Sequence, residues 1–242
     1  MKPFVSYFVG AFAMVALSAA GADTTLWYNG DLRSGGGGTV NEETSNIGVA
    51  NIYDDFNVTS PGGWIVDRVW SDNSMSYTGV SQASWSIRSG MSSGNPGTVV
   101  SSGISFATQA PTGRSNPSAG TPEYFIEVSG LNVYLAPGTY WLSVSPLVGN
   151  DPISSGYLRS YLSVTLGVNA VGAPTGNNGN SFIYWPYAGY NYSSTPFNED
   201  YSLGLAGTVV PEPSTCAFAV SFGMLVLLRE AQNRSRRFVK RA

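Results

Sequence analysis

From about residue 23 to residue 210, apolar and polar residues alternate in short runs, and clusters of Gly, Pro, Ser and Asn separate the runs. Alternation with period two is the mark of a strand with one buried face. It predicts strands over Thr25–Tyr28, Ala50–Val58, Trp64–Trp70, Ser84–Arg88, Thr98–Ala107 and Tyr124–Val128. Further runs are Asn132–Leu135, Thr139–Ser145, Tyr157–Val164, Asn180–Trp185 and Tyr201–Ala206. In the third run Trp64, Val66, Arg68 and Trp70 share one phase, and Ile65, Asp67 and Val69 the other; Trp64, Trp70 and Trp141 are expected in the core. Turns are expected at Ser60-Pro61-Gly62-Gly63, Gly94-Asn95-Pro96-Gly97, Ala136-Pro137-Gly138 and Gly176–Gly179. The run Gly35–Gly38 is expected to be a flexible loop; no Lys-Ser/Thr follows it, so it is not a phosphate cradle. The expected fold is all-β, a single jelly-roll-like β-sandwich over residues 23–208, with a barrel as the structural alternative.

The two ends break this pattern. Residues 1–22 carry Lys2, an uncharged apolar stretch from Phe4 to Leu17, and the small residues Ala20-Gly21-Ala22. That is the layout of a secretory signal peptide cleaved after Ala22. At the other end come Pro211-Glu212-Pro213, fifteen uncharged residues from Ser214 to Leu228, and a basic tail over 229–242. Fifteen helical residues reach about 22 Å, short of a ~30 Å hydrocarbon core. The basic tail would stay cytoplasmic, which places the middle domain outside the inner membrane.

Charge sharpens the picture. Residues 229–242 hold six of the twelve basic residues. Residues 23–210 hold five Arg, no Lys and thirteen acids, a net of −8. Such a domain has no basic footprint for nucleic acid. The chain has no His and one Cys, Cys216. Ser-His-Asp and Cys-His catalysis are therefore excluded, as are His- or Cys-ligated zinc sites and an intrachain disulfide. Cys216 reads as a small apolar residue of the C-terminal segment.

Val210-Pro211-Glu212-Pro213-Ser214, the short apolar helix 214–228 and the Arg-rich end 229–242 together resemble the PEP-CTERM sorting signal, here over residues 209–242. The resemblance implies a Gram-negative bacterium that secretes exopolysaccharide. It implies recognition of Pro211, Glu212, Pro213 and the helix by an exosortase, a transpeptidase-like Cys enzyme of the membrane. That partner removes the tail and releases or hands over the protein. The basic tail here is longer than in most such signals. Tyr53-Asp54-Asp55-Phe56, Gly63-Trp64-Ile65-Val66-Asp67, Ile87-Arg88-Ser89-Gly90 and Gly138-Thr139-Tyr140-Trp141-Leu142 are more loosely similar to the ectodomains that accompany these tails.

Carboxylates are the abundant reactive groups: Asp54, Asp55, Asp67, Asp72, Glu123, Glu127, Asp151, Glu199 and Asp200. A pair of them is what a glycosidase needs. Asp54 and Asp55 are adjacent, so a regular strand sends them to opposite faces. The plainer reading places these acids on solvated strand faces. Asp72-Asn73 and Asn198-Glu199-Asp200 offer oxygen ligands for a structural Ca²⁺, without an EF-hand pattern; no other cofactor is expected. Residues 182–192 hold six aromatics in eleven. Tyr184, Trp185, Tyr187, Tyr190 and Tyr192 are candidate glycan platforms, since such rings join an apolar face to a polar tip; the plainer reading is core and strand-edge packing. The expectation is an exported, non-catalytic surface or matrix protein associated with exopolysaccharide. The alternatives are a carbohydrate-binding module and a carboxylate-dependent glycoside hydrolase.

Overall fold

A computed structural model describes residues 24–44, 48–148, 159–176, 178–195, 199–212 and 229. The expected signal peptide, the apolar segment 214–228 and nearly all of the basic tail lie outside the described residues, as do Cys216 and Asp151. Among the described residues no helix is long and apolar enough to cross a membrane.

The chain is all-β. In order its strands are β1 (Thr24–Tyr28), β2 (Gly38–Val40), β3 (Glu42–Thr44), β4 (Gly48–Val58), β5 (Trp64–Met75), β6 (Gln82–Ser89), β7 (Thr98–Phe106) and β8 (Thr108–Asn116). They continue with β9 (Thr121–Val128), β10 (Val133–Leu135), β11 (Gly138–Pro146), β12 (Ser160–Thr165), β13 (Phe182–Trp185), β14 (Tyr190–Ser194), β15 (Asp200–Tyr201) and β16 (Leu203–Val209). A 3₁₀ turn, Pro186–Ala188, joins β13 to β14.

Two antiparallel sheets result, an arrangement consistent with a β-sandwich. The larger follows β1-β16-β5-β12-β15, with β9 and β10 on the other side of β5, β8 beyond β9 and β2 on β12. The smaller follows β14-β13-β4-β11-β6-β7, with β3 on β4. The alternating inner residues of both sheets form one core, among them Trp27, Ile52, Phe56, Trp64, Val66, Ile126, Leu142, Val144, Leu162 and Leu205. Phe56 is ringed by Trp27, Trp64 and Tyr140 at centroid distances of 5.4, 6.2 and 5.7 Å. Burying one such side chain stabilises the fold by about 2–3 kcal/mol.

The chain crosses from one sheet to the other between β2 and β3, at Asn41. Its fully buried amide donates to Asn73 Oδ1 (3.1 Å) and to the Val144 carbonyl (2.8 Å), and accepts from Ser145 Oγ (2.6 Å). A buried amide with its partners supplied fixes how the two layers meet, because any slip leaves it unsatisfied.

The expected strands appear at the expected places, except that Tyr157 and Leu158 lie outside the described residues. Five more strands are found than expected: β2, β3, β8 and β14 are new, and the run Tyr201–Ala206 is split at Ser202 into β15 and β16. β8 reads T-Q-A-P-T-G-R-S-N and has no apolar phase; its pairing with β9 makes it a strand. The Gly35–Gly38 run is not a free loop. Gly36 N–H bonds to the Arg33 carbonyl (2.9 Å), Ser118 Oγ bonds to the Gly35 carbonyl (2.8 Å), and Gly38 begins β2.

Trp70 is buried, as expected, but outside the main cluster. β16 meets β5 with a register shift: Gly207 lies opposite Val66 but Ala206 opposite Arg68, which leaves Asp67 as an extra residue. One inserted residue reverses the side-chain phase. Trp64, Val66 and Val69 enter the core, whereas Trp70 lies beside Tyr28 and Phe125 at 6.0 and 5.6 Å. Its ring covers Gly204, where a Cβ would come within 2.3 Å of it. Trp141 likewise leaves the main core and joins a second cluster with Tyr53, Met91 and Phe182.

Candidate functional site

That second cluster marks the outer face of the smaller sheet. Inner residues of β4 and β6 such as Ile52, Phe56 and Ile87 belong to the main core. Their strand neighbours Asn51, Tyr53, Ser84, Ser86 and Arg88 line an open groove of about 320 Å³, together with Ser143 of β11 and Ser102 and Ile104 of β7. Pockets for small ligands begin at roughly this size, ~300 Å³.

Cross-strand pairing builds the floor. Ser143 lies opposite Ser86, and Ser86 opposite Ser102, so three hydroxyls cross three strands in one row. Ser143 Oγ, Ser86 Oγ, Asn51 Oδ1 and Arg88 Nε are buried polar atoms with no hydrogen-bond partner. Orphaned buried polar groups are uncommon because each costs about 1–3 kcal/mol. Four of them lie together in one open groove, where water or a ligand can complete them.

Tyr53 lines the groove, and two further rings extend from it outside the lining. Tyr184 and Tyr192 stack at 4.6 Å with planes 23° apart, and Tyr192 lies 5.9 Å from Tyr53. The Arg88 guanidinium sits 5.4 Å from the Tyr53 ring and 5.3 Å from the Tyr192 ring, and its Nη1 donates to the Pro96 carbonyl (3.1 Å). Tyr192 has φ +53°, the left-handed region that a bulky residue enters only when its surroundings impose it. Its carbonyl accepts from Gly94 N–H (2.8 Å), tying this backbone to the β6–β7 hairpin. Burial pushes the Tyr192 hydroxyl above its usual range, aided by Tyr53.

The five candidate aromatics divide between three places. Tyr184 and Tyr192 stack on each other next to Tyr53, beside the groove and outside its lining. Trp185 and Tyr190 pack against the main core, stacked on each other at 6.4 Å, and present no platform there. Tyr187 sits in the 3₁₀ turn, 74% exposed. Tyr53 and Arg88 belong to phrases likened to ectodomains, but neither they nor the serine row are site candidates from the sequence. The stretch Ser84-Trp85-Ser86-Ile87-Arg88 carried the signal: a polar phase of small hydroxyls ending in a cation, opposite an apolar phase.

The carboxylates lie elsewhere, and several are not solvated. Asp54, Asp55, Asp72, Glu123 and Asp200 are buried. Asp54 Oδ2 accepts from Asn29 Nδ2 (3.0 Å) and Tyr201 N–H (2.6 Å), whereas Asp55 Oδ1 accepts from Asn178 Nδ2 (2.8 Å). Burial raises Asp54 well above the carboxylate range, reinforced by the charge on Asp200, which burial itself pushes up to about 6. On the outer face of the larger sheet, Arg114 binds three carboxylates: Asp31 (2.8 Å), Asp72 (2.9 Å) and Glu123. Asp72 Oδ2 also accepts from Tyr28 (2.7 Å) and Ser202 (2.8 Å). Glu199 pairs with Arg33 at 2.7 Å, and Glu127 with Arg68 at 3.0 Å. Of the residues suggested for Ca²⁺, Asp72, Asn73 and Glu199 are thus bonded within the protein, and Asn198 lies outside the described residues. Among the described residues no three His, Cys, Asp or Glu side chains are grouped to hold a metal ion. Glu43 is the one carboxylate lining the groove among the described residues.

No family model, no curated protein and no solved structure matches the chain.

Proposed function

We propose that this chain is an exported, non-catalytic surface protein that holds a neutral polysaccharide in the outer groove of its smaller sheet. The observation that carries the reading is the meeting of two features on one face of the smaller sheet. Orphaned hydroxyl, amide and guanidinium groups line the groove with Tyr53, and the stacked pair Tyr184 and Tyr192 adjoins Tyr53. A sugar ring needs both, hydroxyl partners at its edge and an apolar surface under its C–H face. A groove with one carboxylate lacks the acid–base pair of a glycosidase, which supports binding without cleavage. The net −8 of the domain repels polyanions and favours an uncharged glycan.

Export and sorting rest on the two ends of the sequence. Signal-peptide removal exposes the domain, and the segment from Pro211 onward serves an exosortase-type system. Pro211 and Glu212 are exposed directly after β16, and Val210 N–H is tied to the Gly63 carbonyl (2.9 Å). The processing enzyme therefore works against the rim of the folded domain. The crossings at Asn41, and at Ala107 between β7 and β8, support a jelly-roll type of sandwich.

Affinity electrophoresis of the exported protein through gels containing neutral polysaccharides tests the binding. A polysaccharide that retards the wild type should retard Tyr184→Ala/Tyr192→Ala and Ser86→Val far less, whereas Tyr187→Ala should match the wild type. Unretarded wild-type protein across glucans, galactans and mannans, or retardation indifferent to the groove variants, overturns the reading.

A further inference from the structure

The strands at the sheet margins are not alike. β1 has five residues and a register shift between Thr25 and Trp27. β8 contains Pro111 and Arg114 and shifts register between Pro111 and Ser115. β14 is short and kinked at Tyr192, and β15 has two residues. Shortness, proline, charge and bulges are how proteins keep margins from pairing with other chains.

β7 lacks most of these protections. It spans nine residues, T-V-V-S-S-G-I-S-F, with neither charge nor proline. No charged residue occurs between Arg88 and Arg114. Among the described residues β7 ends its sheet, paired with β6 alone. Its one irregularity is near the start, where Val100 is the extra residue; Ser101 to Phe106 pair with β6 in unbroken register. Val99, Ile104 and Phe106 are 45%, 57% and 85% exposed. A free margin of this length carries a row of unpaired N–H and C=O groups beside exposed apolar side chains.

We infer that β7 is an assembly edge that pairs antiparallel with the β7 strand of a second copy, joining two smaller sheets into one continuous sheet. The second copy is favoured by charge. Two domains of net −8 repel each other, and an uncharged strip is where like molecules approach at least cost. A two-fold axis through the strand makes the edge its own complement, matching N–H and C=O groups over the same residues. An acidic or basic peptide would find no charged partner along β7. The pairing also sets the two grooves side by side, since Ser102 and Ile104 line each of them. The contact is one strand wide, below the ~1,200 Å² of standard stable interfaces, so the dimer is weak and concentration-dependent.

Sedimentation velocity over a concentration series, on protein recovered from expression of the full chain, reads this directly. Wild type should pass from monomer to dimer as concentration rises, and more readily in higher salt. Val99→Lys/Phe106→Lys places lysines at both ends of the strand, where antiparallel pairing brings those of one copy near those of the other. It should weaken the dimer at least about tenfold, as should Val99→Glu/Phe106→Glu. Both sites are exposed, and unchanged circular dichroism would show that the fold survives. Mixing the two variants should restore a dimer of one copy of each. Wild type that stays monomeric throughout overturns the inference. So does a dimer indifferent to both variants, or a failure of the mixture to recover, which would assign the edge to a different chain.

Discussion

Lowering the pH from 7 to 5 should make the domain more stable. Asp72 is held at about 6 by burial and by the charge on Glu123, against an ordinary 3.8. A carboxyl whose folded value lies above its unfolded one binds more protons in the folded state between the two. Its contribution is therefore full below 3.8 and is lost as pH rises through 6, the reverse of an ordinary ion-paired carboxylate. Between pH 7 and pH 5 Asp72 contributes about 1 kcal/mol. Asp200, which burial also raises, acts in the same direction. The Asp72 share alone is a rise in Tm of about 2–4 °C for a domain of this size. The structure also shows where the Asp72 proton fits. Oδ2 carries the bonds from Tyr28, Ser202 and Arg114, while Oδ1 is buried without a partner. Protonation at Oδ1 leaves those three bonds in place and leaves one fewer negative charge around a single guanidinium. Thermal melts of the full chain at pH 5, 6 and 7 measure the effect, and Asp72→Asn should reduce the rise by about 2–4 °C. A Tm that is flat or falls between pH 7 and pH 5 would refute the reasoning.

Gly204→Ala should cost about 1–3 kcal/mol by urea denaturation, because the new methyl meets the Trp70 ring inside a paired strand. N-terminal sequencing of the exported protein should begin at Asp23, as cleavage after Ala22 requires. In a host with an exosortase, wild type should be found beyond the inner membrane without its tail. Glu212→Ala should remain in that membrane at full length, because it alters the tripeptide but neither the apolar run nor the basic end; fractionation and immunoblotting separate the two.

Several features of this chain are legible along the sequence because they are local. Alternation over 50–58, 84–88 and 139–145 names strands and their inner faces, since the period of a strand is a property of the backbone. Gly and Pro name the turn at 60–63 because few other residues adopt its angles; Gly63 has φ +82°. The opposite fates of Asp54 and Asp55 follow from the same two-residue period. Tertiary structure decided whatever depends on a partner distant in the chain. The extra residue at Asp67 turned the still buried Trp70 away from the main cluster, and that insertion exists only in the pairing with β16. The polar run β8 became a strand because β9 offered it a ladder. Asp72 and Glu123 came to share Arg114, 42 and 9 residues away, on a face that no local pattern marks as buried. The groove follows the same logic. Its serines were visible as one polar phase of β6, but their row with Ser102 and Ser143 arises from the register between three strands. The aromatic run 182–192 announced rings, and only the bulge between Ile183 and Tyr184 and the turn at Tyr192 sorted two of them toward Tyr53 and two to the core. Local chemistry fixed the strand period, whereas burial and site formation required the surfaces that long-range pairing brought together.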